Sequence, residues 1–114
     1  MAQLLNSQNQ ILASQLKIAD SHWSRIKGLL GTESLQSQEA LWIHRCNSIH
    51  TFFMKYSIDC VFLDRDLKVK ALKEQVKPSR MTLPIWGASS VIEMRSGQIR
   101  DLGLTLGEQL HVRT

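Results

Sequence analysis

The chain has 114 residues, 43% of them hydrophobic and 21% charged, which fits one globular domain built on a single core. No apolar run approaches the ~20 residues a membrane helix needs, and two cysteines, Cys46 and Cys60, are too few for a disulfide framework. The net charge of +4 is confined to Arg65–Arg80, where six basic residues stand against two acidic ones with no aromatic residue for base stacking, so the stripe reads as a solvated strand face and nucleic-acid binding is not expected.

In chain order, the Gln- and Asn-rich residues 1–10 are expected to be flexible, leaving 11–114 as one compact domain. The same amino terminus lacks a basic start, a long apolar stretch and a small-residue cleavage site, so the cytoplasm is the expected compartment. Leu12, Ser14, Leu16 and Ile18 alternate with Ala13, Gln15 and Lys17, which predicts a strand with one buried face. Asp20 or Ser21 then caps a short helix over His22–Leu30, with Trp23, Ile26, Leu29 and Leu30 at helical spacing and Gly31 as the stop. Ala40–His44 is a second strand and Ile58–Leu63 a central one, apolar on both faces. After the turn "DRD", Leu67–Gln75 returns half-exposed, with Val69 and Ala71 inward and Lys68 and Lys70 outward. "KPSRMTLPIWGA" is a loop punctuated by Pro78, Pro84 and Gly87; "SSVIEM" is a strand, Gln98–Leu102 a helical turn closed by Gly103, and "LTLGEQLHV" a turn and a last strand. Short, evenly spaced strands of this kind predict a mainly β (α+β) fold: a small antiparallel β-barrel or sandwich with one short helix.

The chemistry-capable groups cluster in "CNSIHTFFMKYSIDCVFLD", from Cys46 to Asp64. Asp59, at the start of the most apolar strand, must be hydrogen-bonded or paired, because an unpaired buried charge costs several kcal/mol, roughly. It orients His50 or a ligand cation in a cleft, or it is a structural carboxylate held by loop N–H groups or by an arginine such as Arg80 or Arg25; the structural role is favoured. Cys46 and His50, with His44 nearby, are metal-capable, but a structural zinc site takes four ligands and no second pair exists in this chain, since His22 and His111 are isolated. Met54 could be a soft ligand, yet beside Phe52 and Phe53 it fits a core role better. A nucleophilic reading takes Cys46 as thiolate, His50 or His44 as base and Asp59 as orienting acid; no Gly-rich oxyanion or phosphate loop accompanies them. Ser48 and Thr51 can satisfy loop backbone, and Asn47 tolerates a left-handed turn. Glu93 lies in an otherwise apolar strand, either facing Asp59 across a cleft or pointing to solvent.

Four blocks, "SRIKGLLGTESL", "CNSIHTFFMKYSIDCVFLDRD", "ASSVIEMRSG" and "LGLTLGEQL", give the chain a resemblance over about 16–112 to domain-of-unknown-function family 192. The second block is the specific one, joining a His-Thr pair, a Phe-Met-basic step and an Ile-Asp strand start. Ser57 departs from the proline of many members, Leu67 from a hairpin glycine, and "MRSG" from a more typical Leu-Pro-Ala-Gly. The resemblance implies a compact, mostly β domain without an established reaction, and directs attention to His50, Thr51, Met54, Asp59 and Glu93.

The expected function is therefore a non-enzymatic accessory module that binds a small ligand or a segment of a partner protein. Its candidate pocket is Cys46, His50, Thr51, Met54, Asp59 and Glu93, with no catalytic or metal-ligating residue assigned, no cofactor and no membrane contact. An enzyme or metal-binding protein using Cys46 and His50 is the alternative.

Overall fold

The computed structural model describes residues 2–19, 35–52 and 54–114. The helix expected over His22–Leu30 lies outside the described residues. Seven strands form one curled sheet, a half-barrel. They are β1 (Ala2–Asn6), β2 (Ile11–Ala19), β3 (Glu39–His44), β4 (Ile58–Leu63), β5 (Val69–Val76), β6 (Ser90–Arg95) and β7 (Leu110–Arg113). Between the last two stands one helical turn, α1 (Gln98–Leu102). The spatial order is β5-β4-β6-β3-β2-β1-β7.

The amino terminus corrects the expectation of flexibility. Ala2–Asn6 pairs with β2 on one side and β7 on the other, and Leu4 and Leu5 are buried. The Asn and Gln that suggested fraying build the turn instead. Asn6 Oδ1 accepts from the N–H groups of Gln8 (2.9 Å) and Gln10 (3.0 Å), and Asn9 takes the left-handed conformation such turns need, φ 61°.

All pairings are antiparallel except β2 with β3, which run parallel. A parallel pair needs a crossover of a dozen or more residues, which is what the long segment between them provides. The two ends of the sheet approach each other. Lys68 bridges Gln109, and Val69 N–H donates to Glu108 O at 2.9 Å, so the start of β5 is joined to the segment before β7.

Side chains on successive residues point to opposite faces, and both faces of β4 are covered. One face carries Val61, Leu63, Ile92 and Met94 against Leu4, Leu16, Ile99 and Leu110, the interior of the curl. The other carries Ile58, Cys60, Phe62, Leu41, Ile43 and Val91 against Cys46, Ile49 and the half-buried Met54, Tyr56, Ile85 and Ala88. Those latter residues come from the loops before β4 and after β5. This explains the uninterrupted apolar run of β4, every residue of which is buried.

Candidate functional site

The two loops that cover the second face are tied into an antiparallel ribbon. Met81 pairs with His50, Thr82 N–H donates to Ile49 O at 2.9 Å, and Ile85 N–H to Asn47 O at 2.8 Å. Thr51 is the main knot, fully buried. Its hydroxyl donates to Lys77 O (2.6 Å) and accepts from Arg80 N–H (2.9 Å), while its carbonyl accepts from Ser79 N–H (3.0 Å) and Met54 N–H (3.2 Å). A second hydroxyl repeats the device, since Thr82 Oγ1 accepts from Ile49 N–H at 3.0 Å. Bonds of this kind fix loop backbone that would otherwise be satisfied by water.

Alternation along the ribbon sends Ile49 and Thr51 inward and His50, Phe52, Met81 and Leu83 outward. The His50 ring stacks on Phe52, with centroids 5.1 Å apart. Beyond them the chain turns through Pro84 and Ile85 to Trp86. The result is a row of large apolar side chains in water: Phe52 is 42% exposed, Met81 68%, Leu83 82% and Trp86 95%. Beside Trp86 lies a surface hollow of about 470 Å³ lined by Asn47, Pro84, Ile85, Trp86 and Gly87. It adjoins a second of about 300 Å³ lined by Arg45, Cys46, Asn47, Ala88 and Ser89.

The six residues singled out in the sequence do not form one pocket. Asp59 is buried on the interior face. Its Oδ1 accepts from Gln75 N–H (2.8 Å) and its Oδ2 from Gly97 N–H (3.1 Å) and Ile99 N–H (2.9 Å), so it pins the end of β5 and the first turn of α1 to the sheet. Its donors are backbone groups, not Arg80. Glu93 pairs in register with Cys60, one residue along from the Asp59–Met94 pair, and therefore lies on the opposite face of the sheet. It is fully buried, neither exposed to solvent nor across a cleft from Asp59. Cys46, His50, Thr51 and Met54 share the loop that covers Glu93's face, and Cys46 lines the second hollow.

Of the nucleophilic arrangement, Cys46 and Asp59 lie on opposite faces of the sheet. The buried Cys46 thiol donates to Ser48 O at 2.8 Å. His44 packs edge-on against Trp42, ring centroids 4.1 Å apart, on the interior side of β3, and Asp59 is on that side as well. Among the described residues no group of three or more His, Cys, Asp and Glu is placed to hold a metal ion. Both cysteines, Cys46 and Cys60, are buried.

The sequence reading missed Met81, Leu83 and Trp86. For Met81 and Leu83 a signal was present, apolar residues at alternate positions in a segment whose two prolines forbid a central strand; Trp86 stands outside that alternation. Such a pattern marks an apolar ribbon without a sheet neighbour. The edge of the sheet is less available than the short-strand pattern suggests. β5 is regular only from Ala71 to Lys73, with register shifts on both sides, Gln75 at φ 53° and exposed Lys68, Lys70 and Lys73, features that discourage an added strand.

Comparison with known proteins agrees with the fold. Residues 3–112 match the model of the family DUF192, described as "Uncharacterized ACR". A "UPF0127 protein" of Thermococcus sibiricus is 33% identical over 108 residues, covering 91% of this chain and 70% of that one. A protein of unknown function from Novosphingobium aromaticivorans superposes with a TM-score of 0.79 at 19% identity, over 96% of this chain and 82% of its own. A Sinorhizobium meliloti protein described as a candidate transcription regulator gives a TM-score of 0.77 at 16% identity, over 97% and 91%. At such identities the two structures attest the fold alone.

Proposed function

The chain belongs to domain-of-unknown-function family 192, whose members are uncharacterised proteins, and from that premise we propose that it is a non-enzymatic module that binds a segment of a partner protein. The observation that carries this reading is the exposed row Phe52, Met81, Leu83 and Trp86 on a ribbon held rigid by Thr51 and Thr82. Several large apolar side chains exposed on one loop ribbon of a small protein mark an interaction site, and an aromatic anchor beside a hollow is the usual centre of one. Rigidity matters because a surface already ordered loses little entropy on binding. The same reading places the module in the cytoplasm, where the thiols of buried cysteines such as Cys46 and Cys60 stay reduced. No helix among the described residues is long and apolar enough to cross a membrane.

Selection of a random-peptide display library on the immobilised protein tests the proposal. Enriched peptides should bind the wild type and lose about tenfold or more in affinity against the double variant Leu83→Ser/Trp86→Ser, as expected for hot-spot anchors. Because both side chains point into water, the variant's melting curve should match the wild type's. Peptides that bind wild type and variant equally would place docking elsewhere, and a library that yields no binder would remove the proposal.

A further inference from the structure

We infer that the segment taken by this face is acidic, with a large apolar side chain that lodges in the hollow beside Trp86. The inference rests on the docking reading above and adds the charge and the anchor of the partner. The loops 45–57 and 77–89 carry four cationic residues, Arg45, Lys55, Lys77 and Arg80, and no Asp or Glu. β5 contributes a fifth. A Cβ at Gly87 would stand 3.0 Å from Lys70 Cε and 3.5 Å from its Nζ, so the ammonium group lies over the turn that follows Trp86. Gly87 is required there twice over, by that close approach and by its φ of 84°. None of the five cations is ion-paired among the described residues.

This charge pattern selects among occupants. A second copy docking face to face would set the same positive loops against each other, a like-charge contact that costs several kcal/mol, roughly. A neutral apolar segment would leave the cations unanswered. An acidic segment satisfies both requirements: its apolar side chain fills the hollow of Asn47, Pro84, Ile85, Trp86 and Gly87, and its carboxylates meet Lys70 on one side and Arg45, in the adjoining hollow, on the other. The shaped hollows, with Asn47 on their shared border, favour a peptide over a lipid surface.

The test uses three fluorescently labelled degenerate peptide pools in which large apolar residues alternate with Asp/Glu, with Asn/Gln, or with Lys/Arg, read by anisotropy. In dilute salt the acidic pool should bind about tenfold tighter than the Asn/Gln pool and the basic pool not at all; the gap should close as added salt shortens the screening length to about 3 Å. The double variant Arg45→Glu/Lys70→Glu should lose the preference for the acidic pool while still binding the Asn/Gln pool. If the Asn/Gln pool binds the wild type as tightly as the acidic one, and both need Trp86, the acidic inference fails and the docking reading stands. If no pool binds, both fail, and binding to phosphatidylserine vesicles in that case would assign the face to an anionic lipid surface.

Discussion

Thr51 and Arg80 hold each other in both directions: Thr51 N–H donates to Arg80 O at 2.8 Å, and Arg80 N–H to Thr51 Oγ1 at 2.9 Å. The same hydroxyl donates to Lys77 O, so one oxygen holds the facing loop at two points. Thr51→Val keeps the shape and removes that oxygen, leaving a part-buried N–H and carbonyl without their partner. The expected loss is about 2–3 kcal/mol in a urea titration, against less than about 1 kcal/mol for Thr51→Ser. Equal losses would mean that the methyl group, not the hydroxyl, is what matters.

Asp59→Asn should be costlier than its size suggests. The carboxylate presents an acceptor oxygen to all three backbone donors, whereas an amide must turn its NH₂ toward at least one of them. We expect a loss of about 2–4 kcal/mol at neutral pH, with faster hydrogen exchange at Gln75, Gly97 and Ile99. Unchanged exchange at those amides would show that the three bonds are not the source of Asp59's contribution.

Phe62→Ala removes a fully buried ring from the outer-face cluster beside Ile58 and Cys60. Core aromatic truncations cost about 3–5 kcal/mol, and a calorimetric loss of that size is expected here. A loss below about 1 kcal/mol would deny β4 its central place.

Ser79→Gly should stabilise. Ser79 is exposed and held at φ 62°, a left-handed conformation that costs an ordinary residue about 1–2 kcal/mol. Glycine relieves this and returns part of the gain as unfolded-chain entropy, for a net of about 0.5–1 kcal/mol by denaturant midpoint. A destabilised variant would show that the Ser79 side chain has a partner in solution.

How far the sequence discloses these features depends on whether the signal is local. β4, β6 and the turn Gln98–Leu102 follow from apolar runs and glycine stops, and they stand where the pattern put them. β1 was obscured because Asn and Gln around Leu4 and Leu5 have the composition of a frayed end, while what orders them is pairing with β7, at the far end of the sequence. The opposite placement of Asp59 and Glu93 is a matter of register between β4 and β6, fixed by which residue faces which and not by either strand alone. The loop of Met81, Leu83 and Trp86 misled for another reason: prolines mark it correctly as a loop, and composition says nothing about which of its apolar residues stay in water.

The pairing of β1 with β7 also sets an order in time. Gln3 to Asn6 meet Leu110 to Arg113, and the segment just before β7 clasps the start of β5, so the curl is drawn together by residues far from β1 and β5 in the chain. Until they dock, β1 carries a bare edge, and the core that Leu110 completes stays open to water. Contacts of such long sequence separation are paid for in loop entropy before they give anything back, so closure should be the slow, late step of folding. A chain halted before Leu110 would therefore be a sticky, open sheet awaiting a strand from elsewhere.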